Sequence, residues 1–282
     1  MINGIIIVDK EKDMTSRDVV NSLCHIFHTK KIGHSGTLDP LATGVLVCLI
    51  GKYTKLVHLL TEKDKEYVAT MRLGITTDTY DITGKVLTEN GINVSVEEIK
   101  NALEYFHKSY NQEVPIYSSV KINGQKLYEY ARNNQDVNLP KRMVDIKNIE
   151  LININNNDIT FKCLVSKGTY IRSLINDIGI YLKTGATMTE LRRTKQGKFS
   201  INDAKTLEEI RNNNYKLLTI EDLFDCYKEN ISSDIYEKIR NGQIFDRKTD
   251  KDITLYYYKE ELIAIYRTWD KDNRKIKPYI IF

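Results

Sequence analysis

An α+β fold is what this sequence predicts: a mostly antiparallel mixed sheet flanked by helices, followed by a small C-terminal β module. Three observations carry that expectation. Strand-like runs outnumber helical periodicities, and no regular strand-helix repeat of the kind that builds parallel α/β sheets runs through the chain. Around Cys226 to Ser233 the pattern resets, and the rest reads as a separate tail. The expected division is 1–228 and 229–282; a module of about fifty residues is marginal alone and should dock on its neighbour.

The elements follow in order. GIIIV near the start reads as a strand. Thr15, with Asp18 three residues on, opens a helix on which Val19, Val20, Leu23, Ile26 and Phe27 recur at helical spacing. GVLVCLI is a buried strand, followed by a short helix carrying Leu56, Leu59 and Leu60. KEYVATMRLG is a strand and TTDTYDITG a polar loop. Ser95 with Glu98 starts a helix through about His107. VPIYSSVKING reads as strand and turn, and QKLYEYARNN as a helix. IKNIELINI and DITFKCLVS flank Asn155 to Asn157, a hairpin signal. TYIRSLINDIGIYL is helical by period and ATMTELRRTKQGKF a strand. In the tail, a helix near Ser233 to Arg240 ends at Gly242, and strands ITLYYY, LIAIYRTW and KPYIIF follow.

Composition narrows the classes. No apolar run approaches the roughly 18 residues of a membrane span, and no basic-then-apolar leader opens the chain, so a cytoplasmic protein is expected. Cys24, Cys48, Cys163 and Cys226 form no Cys-x-x-Cys pair, and buried free thiols are the expectation. A balance of 42 basic to 38 acidic residues gives +4, too little to announce a nucleic-acid protein by bulk charge. Local clusters do exist: Arg192, Arg193, Lys195 and Lys198 in one, and Lys271, Arg274, Lys275 and Lys277 in another.

Asp39 is the outlier. Between Lys31 and Lys52 it is the only charged side chain, set in GHSGTLDPLATGVLVCLIG. Gly33, Gly36 and Gly44 permit positive φ or close approach to a ligand, and Pro40 stiffens the chain and pushes Asp39 toward an extended conformation. Taken alone, an Asp before a Pro is as good a turn starter as a reactive group. His34 lacks partners at metal-ligand spacing, the glycines do not complete a phosphate-binding loop, and Asp78 with Asp81 fails the calcium-loop pattern.

Five blocks in order, GHSGTLDPLATGVL, YVATMRLGITTDTYDITG, VPIYSSVKINGQKLYEYAR, SKGTYIRSLINDIG and ATMTELRRTKQGKF, resemble the TruB type of tRNA pseudouridine synthase over about residues 3 to 225. The tail, with RNGQIF, LIAIYR and KPYIIF, is similar to a small PUA-type RNA-binding module. The resemblance implies the pseudouridine synthase fold and isomerisation of the T-loop uridine at tRNA position 55, with the T-arm of tRNA as partner and with no cofactor and no metal. Nothing suggests more than a monomer. The family's catalytic aspartate falls on Asp39, which either attacks carbon to form a covalent intermediate or removes a ribose proton. By the same matching, Tyr67 should stack on the target base and help move the C5 proton, and Arg172 should pair with Asp39. Tyr170 and Leu191 should line the pocket, His34 should fill the space of a flipped nucleotide, and Asp81 and Lys55 should serve polar and phosphate contacts. Lys52, Lys55, Arg192, Arg193 and Lys195 are candidates for binding phosphates, with Arg274, Lys275 and Lys277 gripping another part of the tRNA. Asn133 and Asn134 stand where the family usually has glycine, and Tyr80 where a small residue is common. The alternatives are a non-catalytic tRNA-binding or folding protein, and an aspartyl phosphotransferase, which would need further acids for a metal.

Overall fold

The computed structural model describes residues 2–282. Among them a nine-stranded sheet runs in the order Gly4–Lys10, Thr43–Ile50, Ala186–Gln196, Lys65–Leu73, Asp158–Val165, Lys141–Asn155, Ser109–Glu113, with two short strands attached at its side. Every pairing along that path is antiparallel except the short contact of Thr43–Ile50 with Ala186–Gln196. The α+β expectation holds.

The near-continuous apolar runs at Gly4–Lys10 and Thr43–Ile50 have a direct cause: both faces are covered. Ile6, Val8, Leu46 and Cys48 pack on one side with the helices Ser16–Ile26 and Ile171–Tyr181. Ile5, Ile7, Val45, Val47 and Leu49 pack on the other, against Ile253, Leu255, Ile265 and Ile280 of the tail. Each such side chain, fully buried, contributes about 1.5–3 kcal/mol, so the tail docks through a shared core.

That tail forms a five-stranded sheet in the order Cys226–Asn230, Ile253–Tyr258, Glu261–Trp269, Asp272–Ile281, Phe245–Asp246. The 228/229 boundary falls inside its first strand. The helix Ser233–Arg240 precedes Gly242, whose φ is +72°.

Both expected capping boxes are present, Thr15 with Asp18 and Ser95 with Glu98. Lys141–Asn155 and Asp158–Val165 form the hairpin, turned by Asn156 in the left-handed region. Asn134, φ +49°, takes the conformation a glycine would supply after the helix Leu127–Arg132. Two expectations need correction. Of VPIYSSVKING only Lys121–Ile122 is a strand, followed by the turn at Asn123 and Gly124; residues 116–119 bend, because their carbonyls bond to two helices, Ser118 O accepting from Tyr128 N and Tyr117 O from Arg172. Of the four free cysteines only Cys48 and Cys163 are buried; Cys24 and Cys226 are half-buried. No helix among the described residues is long and apolar enough to cross a membrane.

Candidate active site

Asp39 sits on the loop that leads into the strand Thr43–Ile50, and the rest of the fold pins that loop from below. Ser16, buried at the start of its helix, accepts from Leu38 N (2.9 Å) and donates to Leu38 O (3.1 Å) through one hydroxyl. Pro40 O accepts from Asp13 N (2.8 Å) and from the buried ammonium of Lys10 (3.3 Å), which also donates to Glu11 O and Met14 O. Burial pulls Lys10 down to about 8 against the opposing influence of Asp39. Gly44, φ +100°, is required: a β-carbon there would lie 2.3 Å from Arg193 O. The loop is held before any ligand arrives, while the Asp39 side chain itself remains 37% exposed.

Arg172 organises the space above. It lies in the first turn of Ile171–Tyr181 and is only 5% exposed, so it is not the surface charge a helical Arg usually is. Its three nitrogens reach three segments: Nε forms an ion pair with Asp39 Oδ2 at 2.9 Å, while Nη1 donates to Thr79 O and Nη2 to Tyr117 O, both at 3.0 Å. Asp81 Oδ2 lies 3.9 Å from Nη1. Asp81 is itself buried, its Oδ1 accepting from the Thr79 hydroxyl and from Thr83 N. Two carboxylates therefore flank one buried guanidinium, whose orientation is fixed by its bonds to the Thr79 and Tyr117 carbonyls.

Tyr67, on Lys65–Leu73, is buried; burial pushes its phenol up, Asp39 adds to the effect and the Arg193 guanidinium opposes it. Leu191 is buried in the same core cluster. Tyr170 precedes the helix of Arg172 and is half-buried; its N–H donates to Gln112 Oε1 (2.8 Å) and its C=O accepts from Gln112 Nε2 (3.1 Å). His34 has Nδ1 buried without a hydrogen-bond partner among the described residues, and burial together with Arg193 lowers its pKa. Thus Asp39, Arg172, Asp81 and Tyr67 come together, with Tyr170 joined to them through the helix it starts.

Lys55 does not join them. Its ammonium donates to Ile281 O (2.7 Å) and lies 5.9 Å from the Phe282 ring, at the junction with the second sheet. Arg193 does not face solvent phosphate either: it is 1% exposed, because alternate residues of Ala186–Gln196 point inward. Of the other cations considered for phosphates, Arg192 pairs with Asp9, Lys195 with Glu66 and Lys52 with Glu261. Ser16, Lys10 and Gln112 escaped sequence reasoning, since a Ser after an N-cap, a Lys ending a strand and a Gln between polar residues carry no local signal.

Comparison with known proteins gives a consistent result. Residues 24–171 match the family model for the TruB family pseudouridylate synthase N-terminal domain, and residues 172–234 that for the tRNA pseudouridylate synthase B C-terminal domain. The tRNA pseudouridine synthase B of Lactobacillus acidophilus is 42% identical, covering 100% of this chain and 98% of that protein. The one from Fusobacterium nucleatum is 42% identical, covering 99% of each. Among solved structures, a Cbf5-Nop10-Gar1 complex contains a chain 27% identical with a TM-score of 0.67, covering 94% of this chain and 78% of that one. An H/ACA RNP bound to a substrate RNA containing 2'-deoxyuridine contains another at 24% identity and TM-score 0.70, covering 99% and 84%, a likeness of fold.

Proposed function

The chain belongs to the TruB family of pseudouridine synthases and is a tRNA isomerase, and from that premise we propose that it acts on the T-loop uridine at position 55, with Asp39 as the catalytic carboxylate. It works in the cytoplasm as a monomer on the T-arm. The observation that carries this reading is the 2.9 Å contact of Arg172 with Asp39, made by a guanidinium whose other nitrogens are committed to Thr79 O and Tyr117 O. Such an arrangement suits a group that must keep its aim while the substrate base turns.

The uridine leaves its stack, at a cost of a few kcal/mol, and its base comes to the exposed side of Asp39. The bond from C1′ to N1 breaks, the uracil turns, C5 joins C1′, the C5 proton is removed and N1 takes up a proton, so that no atom is gained or lost. Asp39 either attacks carbon or removes a ribose proton; both routes need the same carboxylate in the same place. Tyr67 stacks on the base and helps move the C5 proton, Tyr170 and Leu191 bound the pocket, His34 fills the space of the extruded nucleotide, and Asp81 steadies Arg172 from its far side. Residues 229–282 serve as an RNA-binding module, with Arg274, Lys275 and Lys277 toward the tRNA.

The test is to incubate the protein with unmodified tRNA in EDTA and map pseudouridine by chemical probing. A single product at position 55 is expected. Product elsewhere overturns the T-loop assignment; a metal requirement overturns the metal-free mechanism; tight tRNA binding with no product leaves a tRNA-folding protein.

A further inference from the structure

The side chain of Arg193 is buried, yet among the described residues its guanidinium lies in no ion pair; the nearby pairs belong to Arg172 and Arg192. Placing an ion away from water costs several kcal/mol unless oxygens replace the lost hydration. Here backbone carbonyls do so: Nε donates to Val45 O (2.6 Å) and Nη2 to Gly36 O (3.1 Å). Those two carbonyls stand on either side of Asp39 in the sequence.

The backbone of Arg193 meets the same elements. It is the register partner of Gly44 across the parallel contact and of Tyr67 across the antiparallel one. A β-carbon on Gly36 would lie 3.5 Å from Nη1, and one on Gly44 would collide with Arg193 O. Both glycines that flank Asp39 are thus packed on this one residue. An apolar side chain could fill the volume without the desolvation cost, so what the guanidinium adds is a rigid fork spanning two carbonyls, a span the single ammonium of Lys cannot bridge.

We propose that Arg193 is a positioning residue for the isomerisation, clamping both ends of the Asp39 loop and tying that loop to the strand that presents Tyr67. The inference rests on reading Asp39 and Tyr67 as the residues that meet the base. It assigns Arg193 no contact with substrate.

The experiment compares wild type, Arg193→Lys and Asp39→Asn in single-turnover assays on unmodified tRNA, with tRNA affinity and amide hydrogen exchange measured on each. For Arg193→Lys the rate should fall on the order of 10²-fold, since loss of alignment has that scale, with affinity within about threefold of wild type. Amides of residues 36–44 should exchange at least about tenfold faster, as local opening becomes easier, while Lys65–Leu73 keeps its protection. A near-normal rate overturns the proposal, and so does a lost rate without faster exchange in the loop. Should Arg193→Lys fail to fold, the wild-type protein decides: the Nε–H of Arg193 and the loop amides must exchange through one common opening, and independent opening overturns the clamp. Asp39→Asn separates the two levels. If it turns over, the reading of Asp39 falls; if it is inert while Arg193→Lys is normal, only the clamp falls.

Discussion

Both sheets carry surface ion pairs, such as Arg72 with Asp158 on the first, but the first also buries ions. Around the first, Lys10, Lys65, Asp81, Arg172 and Arg193 are buried, their polar atoms held by carbonyls, hydroxyls and one another. In the second, Lys248 pairs with Glu229, Lys251 with Asp225, Arg274 with Asp272 and Lys277 with Asp270, each pair having at least one well exposed member. Buried ions are costly to desolvate and rigid once satisfied, whereas surface pairs are worth about 0–1 kcal/mol and exchange partners freely. The contrast suits a division of labour in which one region fixes a reacting geometry and the other meets a polyanion whose phosphates can displace the carboxylates.

The largest way to break this comparison is Arg172→Met. It removes the guanidinium that ties Asp39 to the Thr79 and Tyr117 carbonyls and leaves buried Asp81 without its neighbour. We expect single-turnover rates to drop on the order of 10²-fold or more, with tRNA affinity little changed; a fall in affinity at constant rate would place Arg172 in binding instead.

The second region is sharpened by Asp270→Asn together with Asp272→Asn, which releases Lys277 and Arg274. The tRNA KM should fall a few-fold at constant kcat, and the log-log salt dependence should steepen by roughly 0.7–0.9 for each phosphate newly contacted. Unchanged KM and slope would remove these two cations from the RNA interface.

The smallest effect concerns Asp177, whose Oδ2 accepts from the Tyr110 hydroxyl at 3.0 Å and whose carboxyl burial pushes up to about 6. The folded protein therefore holds this proton more tightly than the unfolded chain, where an Asp titrates near 3.9. The stability this supplies is complete below the unfolded value and is lost as pH rises through about 6. Asp177→Asn keeps an acceptor for Tyr110 and abolishes the titration. Its Tm should exceed wild type by a few degrees at neutral pH and should no longer decline between about pH 4 and pH 6.5 for this reason; a lower Tm at neutral pH would contradict the buried charge.

Much of the fold was legible because its signals are local. The pairs Thr15 with Asp18 and Ser95 with Glu98 close capping boxes within one turn, and Asn156 turns its hairpin without outside help. Asp39 was legible as an isolated charge, and Arg172 and Tyr67 through the family resemblance. The loop pins were not. Ser16 reaches Leu38 across 22 residues, Arg193 reaches Gly36 across 157, and Gln112 reaches Tyr170 across 58. Arg193 also hid in plain view: LRRTKQGK reads as one basic patch, but the strand buries Arg193, and the register shift between Arg193 and Lys195 then leaves Lys195 exposed and Gln196 buried. Ile116 to Ser119 misled because strand-like side chains sit on a backbone whose carbonyls answer to Arg172 and Tyr128.

Asp39→Asn tests the central claim most directly. The amide keeps the size of the side chain and the loop beneath it, and forfeits the carboxylate. Saturating enzyme with unmodified tRNA should yield no pseudouridine at position 55 over many wild-type half-times, while the tRNA dissociation constant stays within a few-fold. Turnover at the wild-type rate would contradict the account.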